Sequence, residues 1–279
     1  MRQKDITYQE KLNELRLDTA HPNSKGSVFV LVEGESDIRL FRKFLNLDNS
    51  KVEQIPGGNI KLEECVETLV ITYPLILGIR DSDFTRIENS MNSSEDIIST
   101  QHHDIEMDML SNNSILSALV FEFSSLKENQ HQILRDNLIE SISCLSCLKW
   151  LNSRQNLKMN FDCGFHDLVS LADYKIDLEE YIKRVISKSK NAKKVDINYL
   201  IDETIDLKNT NPDLYQITNG HDLMNIMAKH IREIEGVNGI SGKTLESAMR
   251  VSYSKTDFLT SHLYLEINNW QQFKGVQIV

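Results

Sequence analysis

The chain has 279 residues, 40% hydrophobic and 26% charged, an ordinary balance for a globular protein and enough length for one large domain or two modest ones. A net charge of −10 argues against general nucleic-acid binding by the whole surface, so any approach to phosphate needs a local basic face and a cation. With 4 prolines, 11 glycines, no apolar run near the ~18 residues of a membrane span, and no apolar core in "MRQKDITYQE" to suggest a secretory signal, a compact cytoplasmic protein away from membranes is expected.

Tyr8–Leu17 reads as a short helix, followed by the breaker-rich loop "DTAHPNSKG". The β-branched run "SVFVLV" reads as a buried strand. "SDIRLFRKFLNL" places Ile38, Phe41, Phe44 and Leu45 at helical spacing, with Ser36 as N-cap. "KVEQIPGGN" is a brief strand and a glycine turn. "NIKLEECVETLVITY" is a helix carrying Ile60, Cys65, Leu69 and Val70, with Asn59 as cap, and "PLILGIRDSD" is an apolar strand that ends in acids. Strands alternating with helices at this spacing predict parallel βαβ units. Further on, segments near 114–150, 178–206, 221–235, 242–252 and 262–273 read as helices. The expected division is an N-terminal helix and loop over 1–25, an α/β domain over 26–112 and a helical region over 113–279.

In open parallel sheets, functional groups collect beyond the carboxyl ends of the strands. Glu33 falls there after the first strand, and Asp81 and Asp83 after the third. Neighbouring strands lie ~5–10 Å apart, so the carboxylates can converge, and an extended DxD presents both of its acids on one side. Grouped carboxylates repel unless a cation lies between them, and magnesium takes oxygen ligands while keeping water for substrate phosphate. The bland alternative is a set of turn residues and helix caps. In "HHDIEMD", Asp104 and Asp108 share a helical face; alternatively Asp104 caps the helix and Glu106 reaches the metal.

"FVLVEGESDIRLFRKFL" followed by "LILGIRDSDF" resembles the TOPRIM signature, a glutamate after the first strand and a DxD after the third. Taken with "HHDIEMDML" and "ITNGHDLMNIM", the chain resembles the TOPRIM-like nuclease effectors of bacterial anti-phage systems. The likeness is to the effector that partners the ATPase of the PARIS system, with a more distant relation to OLD-type nucleases. The resemblance implies a TOPRIM-like parallel sheet followed by a mainly α-helical region. It implies a nuclease dependent on Mg2+, with Mn2+ as substitute, acting on RNA such as tRNA in preference to DNA. It also implies restraint by an ABC/AAA-type ATPase subunit, a homodimer when active, and a toxic, abortive outcome of infection. Carried over by residue, Glu33 is a general acid/base or metal carboxylate, Asp81 and Asp83 are metal ligands, and Glu106 and Asp104 are further ligands. His221 and Asp222 are accessory neighbours. Asp37 holds the second acid of the pattern, where many OLD-type relatives carry the longer Glu. The alternative is a non-catalytic TOPRIM-like module that senses or binds within a defence complex.

Other stretches are weighed on their chemistry. "GISGKT" puts Val237 where a phosphate loop requires glycine, so it reads as a helix start after a glycine turn. Cys144-x2-Cys147 with Cys163-x2-His166 approaches zinc spacing, but the first pair lies on an apolar helix where cysteine packs as a small hydrophobe. Lys183, Arg184, Lys188, Lys190, Lys193 and Lys194 form the one strongly basic stretch, either a phosphate-binding face or a solvated helix end. Trp150, Tyr181 and Trp270 read as core or interface residues.

Overall fold

The computed structural model describes residues 6–279 and resolves into two compact units. The first comprises the described chain up to Asp81, then Met91–Gln101 and Ser254–Val279; the second comprises Ser82–Ser90 and His102–Tyr253.

The first unit is built on β1 (Val28–Val32), β2 (Ser50–Gln54), β3 (Ile76–Arg80) and β4 (Ile97–Ser99), all parallel, in the order β2-β1-β3-β4. β1 is buried at all five positions, which is why its sequence is a continuous apolar run rather than an alternation. Helices α1 (Tyr8–Ala20), α2 (Glu35–Phe44) and α3 (Gly58–Val70) flank the strands in sequence. Leu12 and Leu15 of α1, and Leu62, Cys65, Val66 and Leu69 of α3, share a core with Phe29, Leu31, Ile76 and Ile97. Each fully buried aliphatic or aromatic side chain there contributes about 1.5–3 kcal/mol. Gly78 lets α3 lie close on β3, since a Cβ at that position would sit 2.8 Å from Val66 Cγ2.

The strand order carries the functional geometry. The chain passes from β1 outward to β2, then returns across β1 to β3, so the direction of winding reverses between β1 and β3. Crevices at such reversals are where open α/β sheets bind ligands.

Two expected caps move. α2 starts at Glu35 from Gly34, and α3 starts at Gly58 from Gly57, whose φ of 110° suits glycine; Ser36 and Asn59 therefore lie inside their helices. The short β4 carried too little pattern to be expected. The linear division 26–112 and 113–279 gives way to an interleaved one, because α13 (Lys255–Leu259) and α14 (His262–Lys274) belong to the first unit. Phe258 stacks on Phe44 with ring centroids 4.5 Å apart, and Trp270 Nε1 donates to Asp96 Oδ1 at 2.9 Å.

The second unit contains α4 (Ile105–Ser111), α5 (Asn113–Phe123), α6 (Glu128–Ser141), α7 (Ser143–Gln155), α8 (Leu178–Lys188), α9 (Ile197–Asn209), α10 (Leu214–Ile217), α11 (Gly220–Glu233) and α12 (Gly242–Ser252). A two-stranded antiparallel pair, β5 (Val169–Ser170) and β6 (Lys175–Ile176), precedes α8. α11 is its most enclosed helix and packs on α12, α4 and α6. Trp150 is pinned through its indole N–H to the Glu88 carboxylate. Among the described residues no helix is long and apolar enough to cross a membrane.

Candidate functional site

In the first unit, Glu33 and Asp81 directly follow the two strands that flank the reversal. The β1–β3 register pairs Leu31 with Gly78, which sets Glu33 level with the end of β3. Glu33 Oε1 accepts the backbone N–H of Asp81 at 3.1 Å, and the Glu33 carbonyl accepts from Gln54 Nε2 at 3.0 Å. Arg80, a residue without a sequence signal, steadies the same spot. Its buried guanidinium donates through Nε to the Asp81 carbonyl at 2.8 Å and pairs with Glu63 of α3. Three strand ends thus fix the backbone on which the two part-buried carboxylates stand.

Asp37 has a different occupation. Its Oδ2 accepts the N–H of Gly34 at 2.8 Å, closing the first turn of α2 from the N3 position. A short acid reaches that amide well and complements the positive end of the helix.

Asp83 begins a separate arrangement in the second unit. The extended DxD expected from the sequence does not persist, because β3 stops at Arg80 and Asp83 is left-handed, with φ 46°. Its N–H donates to the His103 carbonyl at 2.8 Å, and its own carbonyl meets His103 Nδ1 at 2.9 Å. Phe84 lies against the His103 ring at 4.8 Å between centroids. A non-glycine residue in this region costs of order 1 kcal/mol and persists where its surroundings over-determine it. His103 supplies that constraint.

Asp104 is resolved as a cap. Its Oδ1 accepts from Met107 N at 2.9 Å, starting α4, while Oδ2 accepts from Gly220 N at 2.7 Å, starting α11. Burial pushes its carboxyl up from the usual carboxylate range. Each oxygen accepts from one backbone amide, the helix-cap alternative expected for this residue. Asp108 accepts from the backbone N–H of His102 and pairs with that residue's ring at 2.8 Å. Glu106 is 3% exposed, with Arg250 Nη1 4.0 Å from its carboxylate. Asp222, buried in the first turn of α11, pairs with Lys149. His221 pairs through Nδ1 with Glu246 Oε1 at 2.7 Å, and this bond raises its pKa to about 9. Glu246 and Arg250 carried no sequence signal, because they reach these partners from a different helix, α12.

Among the described residues, no group of three or more His, Cys, Asp or Glu side chains is arranged to hold a metal ion. Cys144 and Cys147 lie on α7; Cys147 is buried, which pushes its thiol up to about 12, while Cys144 and Cys163 are half-buried. Of the basic stretch, Lys183 pairs with Glu179 at 2.7 Å, Arg184 binds both oxygens of Asp167, and Lys193 donates to the Gln155 carbonyl. Lys188, Lys190 and Lys194 are exposed beyond them, at the break between α8 and α9. "GISGKT" opens α12, with Ser241 as its cap. No protein-family model and no curated protein matches the chain.

Proposed function

We propose that the chain is a magnesium-dependent nuclease that hydrolyses phosphodiester bonds. One observation carries the reading. Glu33 and Asp81 stand directly after adjacent parallel strands at the reversal of winding, and the Asp81 amide holds the Glu33 carboxylate. The residues fit magnesium, which is bound through one or two carboxylates together with water and substrate phosphate rather than in an all-protein cage. Glu33 and Asp81 would hold the ion, while Asp83, the second acid of the motif, stands in the second unit with its backbone bonded to His103. Bound there, the ion would activate water and neutralise charge on the phosphodiester. The protein's own part is support: β1 and β3 set the spacing, and Gln54 and Arg80 lock the backbone of both acidic positions.

The finer elements of the reading rest on the resemblance of "VEGESD" and "RDSDF" to TOPRIM-type effectors. The substrate is RNA such as tRNA before DNA, Mn2+ can replace Mg2+, and the chain acts in the cytoplasm as a toxic effector of an anti-phage abortive-infection system. An ABC/AAA-type ATPase subunit restrains it, and the active form is a homodimer. A second reading is a non-catalytic TOPRIM-like module that senses or binds within a defence complex.

The deciding experiment expresses the chain alone and with its genomic neighbours, wild type beside Glu33→Ala. Total RNA and DNA are then resolved for discrete fragments. Cleavage by the wild type, reduced ~100-fold or more in the variant, is the expected result. Equal cleavage by both overturns the site, and toxicity without cleavage in both selects the binding module.

A further inference from the structure

In the second unit the chain leaves α7 after Gln155 and α8 after Lys188, and the two exits are tied together. Lys193 N donates to the Leu157 carbonyl at 2.9 Å, Lys193 Nζ to the Gln155 carbonyl at 2.8 Å, and Asn160 N to Ser189 Oγ at 2.7 Å. Lys158, left-handed with φ 59° and exposed, thereby joins Lys188, Lys190, Lys193 and Lys194, although it precedes α8 and they follow from its end. Tyr199, in the first turn of α9, belongs to the same place. Its hydroxyl accepts from Gln155 Nε2 at 2.9 Å, and the residue is 40% exposed. Gln155 thus holds a lysine through its carbonyl and an exposed aromatic ring through its side chain.

The face is short of acids. Lys183 and Arg184, earlier on α8, are matched by Glu179 and Asp167. Among the described residues, Lys158, Lys188, Lys190 and Lys194 are exposed and none forms an ion pair with a carboxylate. The acids of the loops 156–162 and 189–196 are Asp162 and Asp196, and Asp196 is occupied as the cap of α9, accepting from Asn198 N and Tyr199 N. The partial negative charge at helix C-termini accounts for Lys188, in the last turn of α8, and for Lys193, on the last residue of α7. It does not account for Lys158, Lys190 and Lys194. In a chain of net charge −10, cations gathered without partners are a local exception to the field of the whole surface.

We propose that this face binds single-stranded nucleic acid, its free lysines meeting phosphates and the Tyr199 ring stacking on a base. Lysines beside an oriented, exposed aromatic ring suit a single strand, whose bases are free to stack, better than a duplex, whose bases are already stacked on one another. The inference concerns the second unit alone and holds whether or not the chain cleaves what it binds.

Binding of fluorescein-labelled oligouridylate and oligothymidylate to the full-length chain, followed over a salt series in metal-free buffer, tests it. The triple variant Lys158→Gln, Lys190→Gln, Lys194→Gln is expected to lower the salt slope by about 2, the share of three phosphate contacts on a single strand, and Lys183→Gln to leave it unchanged. Tyr199→Ala is expected to weaken binding about tenfold and Tyr199→Phe, which keeps the ring, to restore it. The lysines replaced are exposed, so melting temperatures should match the wild type; should the triple variant fail to fold, Lys190→Gln and Lys194→Gln singly, both outside helices, should each lower the slope by about 0.7. A wild-type slope in these variants overturns the inference, as does an equal fall in Lys183→Gln. Failure of the wild type to bind either oligonucleotide overturns it too, and capture of polyglutamate in their place would assign the face to an acidic protein. Tighter binding of a duplex than of either strand, or wild-type affinity in Tyr199→Ala, overturns the single-strand assignment. Binding is read without metal or cleavage, so these outcomes are distinct from failure of the Glu33 and Asp81 site, which Glu33→Ala reads by cleavage.

Discussion

The Glu33 carboxylate accepts the backbone N–H of Asp81, while the Asp37 carboxylate, one helical turn further on, accepts the N–H of Gly34. Two acids that look equivalent in "EGESD" therefore do different things. Asp37→Ala is expected to remove a helix-start hydrogen bond, at a cost of about 0.5–2 kcal/mol, and to leave the magnesium dependence of cleavage as it was. Urea unfolding beside a cleavage titration reads both. A variant of wild-type stability that has lost cleavage would return Asp37 to the metal.

Gly220→Ala sets two effects against each other. Alanine in place of glycine favours a helix by about 1 kcal/mol. The new methyl, however, would lie 2.3 Å from Glu106 Cβ inside a packed junction. Overpacking of that kind costs about 1–3 kcal/mol and wins, so thermal melting should fall by roughly 2–4 °C for each net kcal/mol lost. A raised melting temperature would show that α4 and α11 separate easily.

The His221–Glu246 pair gives the stability a basic limb. The ordinary histidine pKa is 6.5, and the hydrogen bond to Glu246 raises it to about 9 in the folded chain. A raised folded pKa contributes stability that is full below the unfolded value and is lost as pH rises through the folded one. Unfolding free energy should therefore decline from pH 6.5 to about 9, and His221→Gln should flatten that limb. Because the ring is half exposed, solvent screening keeps the effect modest. Parallel curves for the two proteins would refute the coupling.

His230 acts in the opposite direction. It is 5% exposed on α11, neither ring nitrogen has a hydrogen-bond partner, and Glu235 lies 4.0 Å away. Burial lowers its pKa from 6.5, so its contribution is present above that pH and is lost as pH falls through the folded value. His230→Leu removes polar atoms whose burial without partners costs about 1–3 kcal/mol, and should stabilise the chain most at mildly acidic pH. Equilibrium unfolding on either side of pH 6.5 compares the two, and a uniform loss of stability would assign the ring a packing role alone.

The elements that stand alone in sequence were the legible ones. β1, β3, α12 and α14 fall where continuous apolar runs or helical spacing place them, because a buried strand or an amphipathic helix must show its period. The pairing of Glu33 with Asp81 was legible as well, since each acid ends a buried strand. Local signals misled at the caps. Ser36 and Asn59 have the right chemistry, but each helix starts two residues earlier, α2 where Asp37 holds the Gly34 amide and α3 where Gly57 takes a φ of 110°.

By itself, the sequence determined a parallel α/β unit with acids at its strand ends, because hydrophobic burial and strand period are properties of contiguous residues. Tertiary structure alone decided the rest. It gave Asp104 the start of α11, 116 residues away, as well as that of α4, bonded the Asp83 backbone to His103, and brought Glu246 to His221. It also returned α14 to the first unit, where Trp270 reaches Asp96. Each of these is a hydrogen bond or close approach between distant segments. Such contacts depend on how helices pack, a quantity with no period along the chain.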